Sequence, residues 1–257
     1  MKYYIIAGEA SGDLHGSNLM KAIIKEDPKA IFRFWGGDLM KAQGGTLVKH
    51  YRKLAFMGFL EVILNIRTIF KNLSFCKKDI TTFNPDTIIL IDYPGFNMRI
   101  AKWAKSLGKD TQYYISPQIW AWKASRIKLI KETVDKMYCI LPFEKPYYEK
   151  AGFDVSYFGH PLIDAKQNYE DQKESTSAKN KAVIAILPGS REQEVKRKLN
   201  IMLKASEKYT EFNIIVACAP NLPATFYAQY RQDYPFAEFV FGKTYDLLSI
   251  ADFSIVT

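Results

Sequence analysis

The sequence predicts an α/β protein built on doubly wound parallel sheets, and three features of the chain support this prediction. Short apolar runs typical of buried strands alternate with longer segments of helical period. Strand and helix follow one another in regular order, which is the pattern of parallel sheets covered by helices. A polar stretch over residues 166–181 interrupts this order, which then resumes. The chain is therefore expected to hold two such domains.

The first domain is expected to occupy residues 1–165. Its predicted strands are residues 3–7, 31–35, 87–91, 111–115 and 136–140. Its predicted helices are residues 14–25, 59–83, 97–107 and 127–134. After a linker at 166–181, the second domain is expected at 182–257, with strands at residues 183–187, 214–217, 238–241 and 253–256. Because a parallel strand is normally followed by a crossover connection, we expect this second domain to be incomplete.

Composition and charge narrow the possible partners. The 257 residues carry 36 Lys and Arg against 27 Asp and Glu, a net charge of +9, which favours an anionic partner or else a basic surface kept for solubility. No nucleic-acid-binding motif is present, so nucleic acid is not expected. The chain shows neither a membrane-spanning apolar stretch nor a signal peptide, which predicts a cytoplasmic protein. Three distant cysteines and no histidine pair with metal-ligand spacing predict reduced thiols and no metal site.

A polar segment with three glycines follows the first predicted strand. It contains Glu9, Ser11, Asp13 and His15, with glycines at positions 8, 12 and 16. Ligands of open parallel sheets bind at the carboxyl ends of strands, where a helix amino terminus offers N–H groups to anions. The segment is therefore a candidate site. The structural alternative is a tight turn in which Gly8 and Gly12 adopt positive φ and Asp13 caps the helix.

Two further candidate segments follow later strands. Asp92 comes directly after the predicted strand 87–91, where general bases are found in open sheets. The alternative is an aspartate that hydrogen-bonds its own backbone in a Tyr-Pro-Gly turn. The segment 116–122 carries Ser116, Trp120 and Trp122 ahead of a basic helix. It is either an aromatic wall for a sugar or an acyl chain, or packing at the margin of the sheet.

A fourth candidate segment opens a helix after the first strand of the second domain. Gly189 lets a phosphate approach the backbone, Ser190 caps or donates, and Arg191 supplies a planar set of donors for a diphosphate. In the structural alternative Ser190 is the helix N-cap with Glu194 nearby. We favour phosphate binding because the alternative leaves the arginine unexplained.

The predicted helix 59–83 carries two apolar stripes. The broader one is expected to pack on the sheet and consists of Phe59, Val62, Ile63, Ile66, Ile69, Phe70 and Leu73. The second combines apolar and basic residues, namely Leu60, Leu64 and Phe75 with Arg67, Lys71 and Lys78. This composition is typical of a face that rests on an anionic bilayer, and packing beneath another element is the alternative.

In this order, the segments 8–13, 92–97, 116–122 and 187–191 closely resemble lipid-A-disaccharide synthase, as do 141–144 and 158–161 around Glu144 and His160. The resemblance covers essentially the whole chain. It implies an inverting glycosyltransferase of the B-type fold, with two facing Rossmann-like domains. Such an enzyme joins UDP-2,3-diacylglucosamine to 2,3-diacylglucosamine-1-phosphate, giving the lipid A disaccharide and UDP without a cofactor. The family normally continues beyond Thr257 into elements that complete the nucleotide site and form a homodimer.

The resemblance also implies roles for the candidate residues. Asp92 would be the general base, with Glu9 or Asp13 as alternatives, and Arg191 would hold the UDP diphosphate. The acceptor side would be lined by Glu9, Ser11, Asp13, His15, Asn97, Ser116 and Trp120. The UDP side would comprise Gly189, Ser190, Arg191 and Glu194. Membrane contact would come from Leu60, Leu64, Arg67, Lys71 and Phe75, so we expect a peripheral protein on the cytoplasmic face of the inner membrane of a Gram-negative bacterium.

Two other functions remain open at this point. One is another UDP-sugar enzyme of the same build, such as an epimerase or a cell-wall glycosyltransferase, which would not require a diacylated acceptor. The other is a lipid-binding fragment without activity, which would release no UDP.

Overall fold

The structure is a computed structural model of the chain, and it describes residues 1–54, 66–122, 124–163, 166 and 181–257. By its internal contacts the chain divides into two compact units, Met1–Ala165 and Lys166–Thr257. Each unit is built on a parallel sheet of its own.

The described residues of the first unit form a sheet of seven strands. The strands are β1 (Lys2–Ala7), β2 (Ile31–Gly36), β3 (Thr46–His50), β4 (Thr87–Ile91), β5 (Asp110–Tyr114), β6 (Lys136–Cys139) and β7 (Ser156–Tyr157). They lie in the order β3-β2-β1-β4-β5-β6-β7, and every neighbouring pair is parallel. The chain starts at β1, adds β2 and β3 on one side, and then crosses to β4 on the other. Strand order therefore reverses between β1 and β4, where open sheets form a ligand crevice at the carboxyl ends.

Helices accompany this sheet. They are α1 (Ala10–Glu26), α2 (Asp38–Ala42), α3 (Ile66–Phe83), α4 (Pro94–Ser106), α5 (Ile119–Trp122), α6 (Ile127–Thr133) and α7 (Glu144–Lys150), with 3₁₀ turns at Tyr51–Lys53 and Ala124–Arg126. The central strand β4, which reads TIILI, is buried at every position. An uninterrupted apolar strand of this kind is typical of a parallel sheet covered on both faces.

Glycines at four-residue intervals let α1 lie close to its neighbours. A Cβ on Gly12 would be 3.0 Å from the Cβ of Ala7, and a Cβ on Gly16 would be 2.6 Å from Sδ of Met40. Neither Gly8 nor Gly12 has a positive φ. The connection from β1 to α1 is tight, with only Gly8 and Glu9 between them, but the positive φ of the structural alternative is wrong. A four-residue interval returns to the same helix face, which explains the glycine spacing.

A partly buried hydrogen-bond network joins β1 and β2 to α3. The indole Nε1 of Trp35 donates to the Tyr4 hydroxyl at 2.9 Å, and this hydroxyl donates to Oδ2 of Asp79 at 2.8 Å. Arg33 donates to both carboxylate oxygens of Asp79, at 2.8 and 2.6 Å. These bonds fix the position of α3 relative to β1 and β2.

The second unit has a smaller sheet in its described residues. Its strands are β8 (Val183–Leu187), β9 (Asn213–Cys218), β10 (Ala237–Phe241) and β11 (Phe253–Val256), in the parallel order β10-β9-β8-β11. Its helices are α8 (Glu192–Ser206), α9 (Ala228–Asp233) and α10 (Thr244–Ile250), with a 3₁₀ turn at Ala224–Tyr227. The predicted α/β class with parallel sheets is confirmed, and each predicted strand lies within one residue of an observed one.

The helix predicted over residues 59–83 can be compared with the structure only in part. Residues 59–65 lie outside the described residues, and α3 covers the remainder. Within α3 the buried apolar side chains are Leu73, Cys76 and Ile80, whereas Phe70 is 60% exposed. The assignment of Phe70 to the buried stripe is therefore wrong. The buried stripe runs through Ile69, Leu73, Cys76 and Ile80 in steps of three and four residues, and Phe70 lies about 100° around the helix from Ile69.

Candidate functional site

The candidate residues of the first unit lie in loops along one edge of the sheet. The register aligns Ala7 with Ile91, Ile91 with Tyr114, and Tyr114 with Tyr138. The segments that follow these residues therefore leave the sheet side by side. The first two carry Glu9 and Asp92 and flank the point where strand order reverses.

At Gly8 the loop that follows β1 lies directly against the loop that follows β4. A Cβ on Gly8 would lie 2.4 Å from Cγ of Tyr93, so only glycine leaves room for the tyrosine ring. Burial, and then the charge of Glu9, raise the pKa of Tyr93, which places the Glu9 carboxylate near the same side chain. The segment after β1 and the turn that carries Asp92 thus form one surface.

The turn at Asp92 has an unusual backbone. Asp92 and Tyr93 are both left-handed, with φ of 43° and 51°. Such residues persist only where their surroundings fix them, and they cluster at functional sites. Here the Asp92 carbonyl accepts hydrogen bonds from Asn97 Nδ2 at 2.7 Å and from the Tyr113 hydroxyl at 2.6 Å. The half-buried Asp92 side chain is therefore carried on a turn held from two sides, and Asn97, which is fully buried, is one of the groups that hold it.

The Asp13 carboxylate contacts a neighbouring helix. It is 3% exposed and accepts the backbone N–H groups of Gly37, Leu39 and Met40 at 2.7, 3.1 and 3.0 Å. These are the free N–H groups at the start of α2, so Asp13 caps α2 and not its own helix. The expectation that Asp13 caps the helix in which it lies is wrong, since α1 begins three residues before it.

A buried carboxylate, Glu144, connects the loops after β5 and β6. It is 1% exposed and accepts the N–H groups of Ile140 and Leu141 at 3.1 and 2.9 Å. It also accepts the Ser116 hydroxyl at 2.5 Å and the Trp120 indole N–H at 3.4 Å. The sequence predicts no role for Glu144. The signal that identifies it is a glutamate in the first helical turn just after a strand, where free backbone N–H groups need an acceptor.

His15 is buried, and its Nδ1 has no hydrogen-bond partner. Burial, and then the electrostatic influence of nearby His160, hold the pKa of His15 below its ordinary value. His160 follows β7, and its Nδ1 accepts the N–H of Leu162 at 3.2 Å. The segment after β7 therefore returns toward α1, and it adds a second imidazole to this part of the first unit. Ser11 lies exposed in the first turn of α1.

The second unit places Gly189, Ser190 and Arg191 directly before α8. Gly189 has a φ of 110°, and a Cβ there would lie 2.6 Å from Oε2 of Glu194. Glu194 accepts the backbone N–H of Arg191 at 3.2 Å, and the two side chains form an ion pair at 3.5 Å. The N-cap of α8 is Arg191. The structural alternative with Ser190 as N-cap is therefore wrong by one residue, and Glu194 belongs to the cap itself.

The residues expected to contact a membrane are only partly described. Leu60 and Leu64 lie outside the described residues. Arg67, Lys71 and Lys78 are exposed on α3, and Phe70 and Phe75 are 60% and 47% exposed. The exposed face of α3 is thus basic and aromatic.

The described ranges contain no group of three His, Cys, Asp or Glu side chains that is arranged to hold a metal ion. Cys76, Cys139 and Cys218 are buried free thiols, and burial raises the pKa of Cys139 and Cys218 to about 12. None of the described helices has the length and apolar character needed to cross a membrane.

Solved structures show where else this fold occurs. The chain superimposes on the UDP-GlcNAc 2-epimerase of Neisseria meningitidis, solved with UDP-GlcNAc, with a TM-score of 0.69 at 12% identity over 99% of this chain and 77% of the other. The Methanocaldococcus jannaschii UDP-GlcNAc 2-epimerase, in complex with UDP-GlcNAc and UDP, gives a TM-score of 0.69 at 11% identity, over 100% of this chain and 78% of the other. At such identities the likeness shows the fold alone, which is the B-type fold of UDP-sugar enzymes.

Sequence relatives are more specific. The lipid-A-disaccharide synthase of Syntrophus aciditrophicus is 40% identical over 98% of this chain and 68% of its own length. The synthase of Geobacter metallireducens is 42% identical over 85% of this chain and 59% of its own length. Lipid-A-disaccharide synthase 1 of Legionella pneumophila strain Lens is 38% identical over 98% of this chain and 68% of its own length. The chain thus spans between about three fifths and two thirds of the length of these relatives. Since the lipid-A-disaccharide synthetase family model also matches residues 3–257, the chain belongs to this family of glycosyltransferases.

Proposed function

We propose that this chain acts in the transfer of a diacylglucosaminyl group from UDP to 2,3-diacylglucosamine-1-phosphate, with release of the lipid A disaccharide and UDP. The observation that carries the proposal is the position of Asp92, on a constrained left-handed turn where strand order reverses, in a chain that the family model matches over residues 3–257. Open α/β sheets bind their ligands at such a place.

In the proposed reaction Asp92 is the general base. Its carboxylate takes the proton of the acceptor hydroxyl as that oxygen bonds to the anomeric carbon. The bond from the anomeric carbon to the UDP oxygen breaks on the opposite side, so the configuration inverts. Glu9, which lies near Tyr93, remains the alternative base. We assign Asp13 a positioning role, because three backbone N–H groups already occupy its oxygens.

We assign the UDP diphosphate to the segment before α8. This segment lies at the amino terminus of α8, where free backbone N–H groups attract anions, and the Arg191 side chain, 49% exposed, offers a planar donor group for two phosphate oxygens. Stabilising the negative charge that develops on the leaving UDP is the chemical contribution of this segment. The ion pair with Glu194 holds the guanidinium near this position before UDP binds.

The reaction is tested by incubating the chain with UDP-2,3-diacylglucosamine and measuring UDP. We expect UDP and disaccharide to appear in equal amounts, only when 2,3-diacylglucosamine-1-phosphate is added. Glucosamine-1-phosphate without acyl chains is the matched control and is expected to support little release. Conversion of the UDP-sugar without any acceptor would instead indicate an epimerase, and binding of the lipid without UDP release would indicate a lipid-binding fragment.

We further propose that the exposed face of α3 contacts an anionic membrane surface on the cytoplasmic side. Phe70 and Phe75 supply apolar area, while Arg67, Lys71 and Lys78 supply positive charge. We expect the double variant Phe70→Glu with Phe75→Glu to lose flotation with phosphatidylglycerol vesicles. Phe236→Glu, which changes an exposed phenylalanine of the second unit, is the control and should float like the unaltered chain. Equal flotation of both variants would exclude α3 as the contact.

A further inference from the structure

Trp120 and Phe143 form an exposed aromatic pair at the carboxyl ends of β5 and β6, which we call the aromatic corner. Their ring centroids lie 4.8 Å apart with the planes at 87°, and the two side chains are 38% and 47% exposed. Trp120 lies in α5, and Phe143 directly precedes α7. Phe158, which follows β7 at the same edge of the sheet, is 84% exposed and has its ring centroid 6.3 Å from that of Tyr138.

The polar groups at the base of the aromatic corner point inward. The Trp120 indole N–H and the Ser116 hydroxyl both donate to Glu144, as do the N–H groups of Ile140 and Leu141. Ser116 itself is 2% exposed. A sugar site needs hydrogen-bonding groups beside its aromatic ring, and here these groups are already used within the protein. The surface that Trp120 and Phe143 leave exposed is therefore hydrocarbon.

We propose that the aromatic corner binds an acyl chain of the acceptor, and that Glu144 is the positioning residue that holds Trp120 for this contact. The inference rests on the proposed function, which supplies a diacylated acceptor. The location supports it, because β5 is the direct neighbour of β4, whose end carries Asp92. Under this proposal Ser116, which was expected to bind the acceptor, instead helps to hold Glu144 beneath the aromatic corner.

Glu144 can hold this arrangement because it is saturated with donors. A buried carboxylate is stable only when its oxygens are hydrogen-bonded, and four donors converge on this one. The Trp120 bond is the longest of the four, at 3.4 Å. Loss of the charge at residue 144 should therefore release Trp120 before it disturbs the backbone contacts. The Tyr148 hydroxyl, which donates to the Pro117 carbonyl at 3.1 Å, ties α7 to the loop after β5 independently of Glu144.

The contact is tested with 2,3-diacylglucosamine-1-phosphate that carries bromine on an acyl chain, because bromine quenches tryptophan emission at close range. We expect the bromine-labelled acceptor to quench an emission component that is missing in Trp120→Phe, while calorimetry shows that both proteins bind the acceptor. Binding without quenching of that component would overturn the inference and leave the proposed function standing. Absence of acceptor binding would overturn both. Equal quenching by brominated phospholipid vesicles alone would assign the corner to the bilayer and overturn the inference.

The role of Glu144 is tested by comparing acceptors with short and long acyl chains. Each methylene that the corner buries should strengthen binding by about fourfold. We expect Glu144→Gln and, independently, Phe143→Ser to reduce this dependence on chain length while short-chain affinity stays unchanged. Trp120 emission should shift to the red in Glu144→Gln. Phe236→Ser, which changes an exposed phenylalanine of the second unit, is the control. Equal loss for short and long chains would indicate a merely structural role and overturn the assignment.

Discussion

His15 shows at the scale of a single residue how burial sets a charge state. Its Nδ1 is buried without a hydrogen bond, and burial together with His160 holds its pKa below the ordinary value. In the unfolded chain the same imidazole takes up a proton near pH ~6.5. Below that pH the unfolded state therefore binds more protons than the folded state, and His15 makes the folded state less stable as the pH falls.

We expect the free energy of unfolding to decrease between about pH 7 and 5, and His15→Gln to remove part of this decrease. Glutamine is neutral at every pH in the range. The difference between the pH dependences of the unfolding free energy of the two proteins therefore gives the contribution of His15. Urea unfolding at several pH values measures it. If the two curves run parallel, His15 is not held neutral in the folded protein.

Other residues show what the sequence could and could not reveal about the site. The position of Asp92 at the carboxyl end of β4 was predictable, because the buried strand itself places the residue that follows it. The partners of Asp13 were not, because its three bonds reach α2, a five-residue helix without a visible period in the sequence. The importance of Glu144 was hidden in the same way, since Ser116 lies 28 residues before it in the chain.

At the scale of the elements, Asp79 fastens α3 to the sheet. Burial alone would raise the pKa of Asp79, but hydrogen bonds from Arg33 and Tyr4 outweigh it and hold the pKa below its usual range. A depressed carboxyl pKa stabilises the folded state above the unfolded value of about 4, and this contribution is lost as the pH falls through the folded value.

We expect Asp79→Asn to lower the free energy of unfolding by about 2–3 kcal/mol at neutral pH, since charged hydrogen bonds to Arg33 and Tyr4 are weakened together. Denaturant unfolding measures the change. Asp38→Asn is the matched control, because Asp38 is 68% exposed and its contacts to His50 and Arg52 are 3.4 and 3.9 Å long; we expect less than about 1 kcal/mol there. A loss as small as in the control would contradict the role of Asp79.

The longer buried strands were predictable because they are apolar runs that end at polar or turn-forming residues, as in β4 and β8. Short elements such as β3, β7 and α7 were not predicted, since they are too short to show a period. The exposed position of Phe70 depends on how α3 packs on the sheet, which periodicity alone left undetermined.

At the scale of the whole molecule, two parallel sheets each present a candidate segment at the carboxyl end of a strand. The first carries Asp92 after β4, and the second carries Arg191 after β8. The order of strand and helix along the chain was enough to predict both sheets. It did not predict the pairing of β1 with β4, which brings the Gly8 and Asp92 segments together, because strand order depends on the direction of each crossover.

The proposed role of Asp92 as general base is decided by the turnover of the Asp92→Asn variant across pH. Asparagine preserves the shape of the side chain but accepts no proton, so we predict a loss of about 10²- to 10⁴-fold in kcat with little change in acceptor KM. Asp154→Asn, at an exposed position, serves as control. Near-normal turnover of folded Asp92→Asn, with an unchanged pH profile, would exclude Asp92 as the base and favour Glu9.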